Sequence, residues 1–273
     1  MFPQVLKVER LTVAMANLPP SLIGTKLIQL SDLHYDGKSL RDELLEESIA
    51  QSNRENPDLV LLTGDYVTDN PEAIYKLTPH LKHFKSRRGI YACLGNHDIY
   101  YHNSKRMIIE ALTSIGIEVL WNQVCYPLGE ELALVGLADF WSKDFNPSLV
   151  FQLLNPYIPR LVLSHNPDSA AVLHSYRVDL QLSGHTHGGQ VVIPRIGPMP
   201  AILSQMRSYI AKPLQDFLPY TKECSRIVKH WQWSQGWHQI GDNQLYVNRG
   251  LGTYFPGRLF CPPELTVISL TSL

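Results

Sequence analysis

Hydrophobic and polar positions along the first two thirds of the chain alternate between two patterns. Short apolar runs recur at Lys26–Leu30 (KLIQL), 58–62 (DLVLL), 89–94 (GIYACL), Arg160–Leu163 (RLVL) and 179–182 (DLQL). Runs of this length, rich in branched side chains and bounded by turn residues, predict buried strands. Between them the apolar positions return every three or four residues. Leu40, Leu44, Leu45 and Ile49 make one face of a helix that Asn56-Pro57 closes. Ile108, Ile109 and Leu112 make a second face, with Ser104 as its cap and Gly116 as its stop. GIEVLWN (116–122) and YPLGEELALVGLAD (126–139, turning at Gly129) predict further strands, as do QLYVNRG (244–250) and ELTVISL (264–270). Strands alternating with helices, plus several hairpin-like strands, predict an α/β sandwich of two sheets with outer helices. Neither an internal repeat nor a low-complexity linker divides the chain, so residues 1–273 read as one domain.

Residues 195–243 break this pattern. They carry Trp231, Trp233 and Trp237, are interrupted by Pro198, Pro200, Pro213 and Pro219, and hold more Lys and Arg than Asp and Glu. This composition predicts a Trp-rich cap inserted in the sandwich.

Composition narrows the function classes. The formal net charge is −1 and the sequence pI about 6.8, so no global basic field argues for nucleic acid. Cys93, Cys125, Cys224 and Cys261 form no C-x-x-C pair and read as reduced thiols of a cytoplasmic chain. No window approaches the ~18 uninterrupted apolar residues of a membrane span. Peripheral contact with a membrane through 195–243 stays open.

The chemistry gathers where the apolar runs end. LIQL leads to SDLH (Asp32, His34), LVLL to TGDY (Asp65), and IYACL to GNHD (Asn96, His97, Asp98). LVL leads to SHN (His165) and LQL to SGHTHGGQ (His185, His187). The carboxyl ends of strands are where ligands bind in open α/β sheets. Each residue alone reads as a cap, a turn or a hydrogen-bonded loop side chain; five strand ends collecting such groups together do not. His80, His83, His102, His174, His230 and His238 follow no such rule and read as ordinary side chains. Carboxylate, amide and imidazole donors without thiolate suit Mn²⁺, Fe²⁺ or Zn²⁺. Seven donors exceed the needs of one open catalytic ion, whereas two ions ~3.5–4 Å apart, clamping a phosphoryl group, use them all.

The ordered blocks DLH, GD, GNHD, SHN and GHTH resemble those of the calcineurin-like metallophosphoesterases. The tail YVNRGLG…GRLFCPPELTVISL is similar to a bacterial branch that includes enzymes of UDP-diacylglucosamine pyrophosphatase type. The resemblance implies a four-layer αββα sandwich and a binuclear centre, with Mn²⁺ first and Fe²⁺ or Zn²⁺ as alternatives. Asp32, His34 and His187 would hold one ion, Asn96, His165 and His185 the other, and Asp65 would bridge them. His97 would face the scissile ester, with Asp98 orienting its ring. The second block reads GDYVTDN and lacks the arginine of the family's protein phosphatases, which speaks against phosphoprotein hydrolysis. Arg249, in VNRG at a strand end, is a candidate for holding a second phosphate. The expected activity is hydrolysis of a phosphodiester or pyrophosphate bond in a lipid-linked or nucleotide-diphosphate-sugar substrate. The alternatives are a soluble phosphodiesterase of cyclic or small nucleotides and a metal-binding scaffold, against which the intact GNHD argues.

Overall fold

In chain order the strands are β1 (Lys7–Met15), β2 (Lys26–Leu30), β3 (Leu59–Leu62), β4 (Ile90–Ala92), β5 (Ile117–Val119), β6 (Gln123–Cys125) and β7 (Ala133–Gly136). They continue with β8 (Arg160–Leu163), β9 (Leu180–Ser183), β10 (Val192–Ile193), β11 (Gly197–Pro198), β12 (Gly236–Ile240), β13 (Asn243–Val247) and β14 (Glu264–Ser272). The helices are α1 (Asp42–Arg54), α2 (Ile74–Leu81), α3 (Asn96–Ile99), α4 (Ser104–Thr113), α5 (Pro147–Phe151), α6 (Ala170–Leu173) and α7 (Met199–Tyr209). The structure, a computed structural model, describes residues 5–210 and 226–273.

Two six-stranded mixed sheets form the body, in the orders β1-β14-β2-β3-β4-β5 and β12-β13-β9-β8-β7-β6. In the first sheet β2, β3, β4 and β5 run parallel, and β14 lies antiparallel to β2. In the second, β13, β9, β8 and β7 run parallel between the antiparallel edge strands β12 and β6. Because strand side chains alternate between faces, each parallel strand serves two layers. Leu27, Leu59 and Leu61 meet Leu134, Leu161, Leu163, Leu180 and Leu182 between the sheets. Ile28, Leu30, Val60 and Leu62 turn the other way, onto Leu44, Leu45, Ile49, Leu77, Leu81, Ile108 and Leu112 of the helices. On the far side Val135 and Val162 pack on Val150, Phe151 and Leu173. The order is helix, sheet, sheet, helix, and each fully buried leucine between the sheets is worth roughly 1.5–3 kcal/mol.

The predicted strands are present: β2 and β8 keep the expected bounds, β3 is shorter by one residue, β4 by three and β5 by four, β9 is shifted by one and β14 is longer by two. Asn103, at φ 64°, takes the cap position expected of Ser104, whose hydroxyl donates to the Tyr101 carbonyl instead. The Gly129 turn exists, but its first strand is β6, upstream of the segment expected. β1 was not anticipated: Glu9 and Arg10 interrupt its alternation because it is a sheet edge, half open to solvent. Part of the segment 195–243 belongs to the sandwich itself. β12, at 236–240, belongs to the second sheet and places Trp237 there, while 211–225 (with Cys224) lie outside the described residues. The other thiols, Cys93, Cys125 and Cys261, are free, and among the described residues no helix is long and apolar enough to cross a membrane.

Candidate active site

Each expected donor leaves the carboxyl end of a parallel strand. β2 delivers Asp32 and His34, β3 Asp65, β4 Asn96 and His97, β8 His165, and β9 His185 and His187. The two sheets thus contribute to one cluster at their common edge. Asp32, His34, Asp65, His185 and His187 all have positive φ, between 45° and 70°. A non-glycine residue in that region carries strain of roughly 1–3 kcal/mol, and here it turns each side chain back over its own strand end. Glycines make the approach close enough. A Cβ at Gly95 would lie 2.2 Å from Asp65 Oδ1, and one at Gly184 would lie 2.2 Å from Asp32 Oδ2.

Two donor groups result, Asp32-His34-His187 and Asp65-His165-His185, linked by a third, His34-Asp65-His97. Asp65 Oδ2 is 3.1 Å from His165 Nε2 and 3.4 Å from His34 Nε2, so it reaches both halves. His187 Nε2 is 3.1 Å from His34 Nε2 and 3.5 Å from Asp32 Oδ1. His185 Nδ1 faces His165 Nε2 at 3.3 Å. The outer ring nitrogens are tied down. His165 Nδ1 lies 2.7 Å from the Thr63 carbonyl, His187 Nδ1 3.2 Å from that of Gly252, and His185 Nε2 3.1 Å from that of Ile227. A carbonyl only accepts, so these nitrogens carry a proton, and the inward ones present lone pairs whenever the ring is neutral. Backbone-anchored imidazoles of this kind are the usual support of metal ligands. The Asn96 Oδ1 atom is buried and bonds to nothing. Lone pairs turned on one another, two carboxylates and an orphaned amide oxygen fit a pair of divalent cations.

Electrostatics agree. Burial holds the His34 and His185 rings neutral, with pKa values lowered to about 3 and about 4, and holds His187 well below the ordinary imidazole range. At His165 burial also opposes charge, but Asp65, with Asp32 and Asp139 adding, prevails and holds the ring up at about 10. Burial works against the Asp65 carboxylate as well, yet His165, His34 and His97 keep it well below the usual range.

Two expected roles require correction. The Asp98 carboxylate does not orient the His97 ring: it accepts the backbone N–H groups of Asp65, Tyr66 and Gly95, each at 2.8 Å. It therefore fixes the Asp65 turn, while the Thr68 carbonyl, 3.0 Å from Nδ1, holds His97. Arg249 does not line the cavity. Glu9 at 2.8 Å and Glu264 at 2.9 Å pair with its guanidinium behind the histidine turn.

Two residues escaped the sequence reading. Tyr254 puts its hydroxyl against the His34 ring and 3.5 Å from His97 Nε2. Asp139, after β7, is buried; one oxygen accepts the Trp141 N–H and the other has no partner. Asp139 obeys the same strand-end rule and was legible in GLAD; Tyr254, in a loop, was signalled only by its neighbouring glycines.

A cavity of about 240 Å³ opens beside the cluster, and its wall includes polar Asp65, His97, His185, His187 and Tyr254 and apolar Pro200, Ile227 and Trp231. Trp233 instead stacks on His230 and packs against Ala170, Leu245 and Val247. His230 pairs with Asp168 at 2.8 Å, pinning this wall to the sandwich.

Comparison with known proteins points the same way. The phosphodiesterase YaeI of Escherichia coli is 34% identical, covering 90% of this chain and 82% of its own. The UDP-2,3-diacylglucosamine pyrophosphatase LpxG of Chlamydia muridarum is 28% identical over 97% and 89%. The metallophosphoesterase YkuE of Bacillus subtilis is 30% identical over 99% and 87%. A solved structure at 10% identity superposes with a TM-score of 0.51 over 81% of this chain and 89% of that one, which speaks for the fold alone. Residues 25–189, the span that supplies every donor of the cluster, match the calcineurin-like phosphoesterase family, and the chain is a member of it.

Proposed function

We propose that the chain hydrolyses a phosphodiester or pyrophosphate bond in a lipid-linked or nucleotide-diphosphate-sugar substrate, UDP-diacylglucosamine-like in chemistry. The observation that carries this reading is the mixed lining of the cavity: Asp65, His97, His185 and His187 together with Pro200, Ile227 and Trp231. The name of LpxG supports the lipid-linked diphosphate, and that of YaeI supports a diester. In this reading Asp32, His34 and His187 hold one divalent ion, and Asn96, His165 and His185 hold a second. Asp65 is shared, and Mn²⁺ is preferred over Fe²⁺ or Zn²⁺. Such ions activate water and neutralise phosphoryl oxygens. His97 gives Nδ1–H to Thr68 and presents Nε2 to the cavity, where its protonated form donates to the leaving oxygen. Burial, with Asp65 and Asp32 adding, pushes the ionisation of Tyr254 up, so its phenol stays neutral and serves as a hydrogen-bond donor there. The free thiols support a cytoplasmic setting. The second reading, a soluble phosphodiesterase of cyclic or small nucleotides, draws on YaeI and on Trp231 and Tyr254 as stacking surfaces. Turnover of a UDP-linked diacyl sugar in detergent, set against cyclic and dinucleotide diesters with Mn²⁺, decides. A preference of tenfold or more for the lipid supports the first reading, and the reverse preference supports the second.

A further inference from the structure

Two loops leave the rim of the cavity. The β10–β11 hairpin spans from Gln190 to Pro200, both cavity residues, and the 254–261 loop follows directly on Tyr254. They are one backbone assembly: the Leu259 N–H donates to the Gln190 carbonyl at 2.9 Å, and the Val192 N–H to the Leu259 carbonyl at 3.0 Å. Arg258 braces the loop from within, donating to the carbonyls of His187, Arg249, Gly250, Gly252 and Cys261. On this braced frame Phe255 is 93% exposed, Ile196 69% and Phe260 68%. Large apolar side chains held out on a rigid rim mark a contact surface.

The charge around it identifies the partner. Residues 180–210, 226–241 and 243–263 contain no Asp or Glu, although the whole chain has a net charge of −1. Arg195, Arg226 and Lys229 within them are exposed. Phenylalanines on loop tips, with exposed Arg195 next to exposed Ile196 and exposed Arg226 and Lys229 flanking the cavity residue Ile227, match a bilayer boundary, where the rings enter the acyl edge and the cations meet anionic headgroups. We infer that this rim docks the enzyme on an anionic lipid surface, with the cavity mouth against the headgroups. Of the tryptophans of 195–243, Trp231 lines the cavity and Trp233 packs on the core, while Trp237 is exposed on β12. The inference rests on the lipid-linked reading of the substrate, and adds to it the face by which the enzyme reaches that substrate.

The test is co-sedimentation of the full chain, loaded with Mn²⁺, with phosphatidylglycerol-containing vesicles and with pure phosphatidylcholine vesicles. Binding to the anionic vesicles is expected to be at least tenfold stronger. Phe255→Ser with Phe260→Ser is expected to lower it at least tenfold, leaving turnover of a soluble chromogenic diester within twofold. Should that pair disturb diester turnover, Ile196→Ser with Arg195→Glu on the hairpin takes its place with the same expectation. Absent vesicle binding, or binding unchanged in these variants, overturns the inference. So does a dimer by light scattering that the variants dissociate, since the rim is then an interface between copies of the chain. The substrate reading is judged separately, in detergent: preference for the lipid diphosphate without vesicle binding removes only the docking face. Vesicle binding without lipid turnover removes only the substrate.

Discussion

At the scale of single residues, Asp65 reaches His34 in one half of the cluster and His165 in the other. Asp65→Ala is expected to drop the metal content from two ions per chain to none and to abolish turnover; elemental analysis reads the first, and two ions retained would refute a shared ligand. His97 sits at the rim of the same cluster but is held by Thr68. His97→Ala is therefore expected to keep both ions and to slow turnover by roughly 10²–10⁴-fold. The loss shrinks for esters with acidic leaving groups, and equal slowing of all esters would move the role of His97 to the phosphoryl oxygens. His165 supplies a pH signature. Without metal its ring stays protonated up to about 10, whereas a metal ligand must be neutral. Metal binding near neutral pH is thus expected to release about one proton per chain, measured by calorimetry in buffers of different ionisation heat. The raised pKa also carries stability in the metal-free protein. That stability is fully present below the unfolded value near 6.5 and is lost as the pH rises through about 10.

At the scale of elements, the turns after β3 and β4 are locked to each other by Asp98. Its two oxygens accept three buried N–H groups, and Asp65 itself is one donor. Burial and Asp65 push the Asp98 carboxyl up to about 7, so the turn geometry holds against an electrostatic cost. Asp98→Ala leaves those donors unpaired at ~1–3 kcal/mol each. A destabilisation of about 3 kcal/mol or more is expected in denaturant melts, together with loss of metal, in contrast to His97→Ala, which leaves both intact. An Asp98→Ala protein of normal stability that binds both ions would return Asp98 to a role on the His97 ring.

At the scale of the molecule, the site lies on the seam between the sheets, with Asp32, His34, Asp65 and Asn96 from one and His165, His185 and His187 from the other. Buried polar contacts already cross the seam: Gln29 Nε2 in the first sheet donates to the Ser183 carbonyl in the second at 2.9 Å. Ions bound there clamp the two halves and stabilise the native state by mass action, ~2.7 kcal/mol at a hundredfold excess over Kd. At about 2–4 °C per kcal/mol for a chain of this size class, chelation is expected to lower the Tm by roughly 5–10 °C. An unchanged Tm would mean that the ions do not bridge the sheets.

The sequence by itself determined the parallel strands, the helices α1 and α4 and the donors at the strand ends, but not α2, α5 or α6. Each of these is a local property: apolar periodicity marks a strand, and the next few residues hold its chemistry. Only the tertiary structure decided what depends on partners far along the chain. β1 pairs with β14 across more than two hundred residues, and β12 is part of a sheet rather than a cap. Asp98 binds backbone rather than His97, and Arg249 is occupied by Glu9, 240 positions away. Tyr254 enters the site from a loop that no periodicity describes. The physical reason is that a side chain's role follows from which polar groups surround it after burial, and those neighbours are set by packing rather than by its place in the sequence.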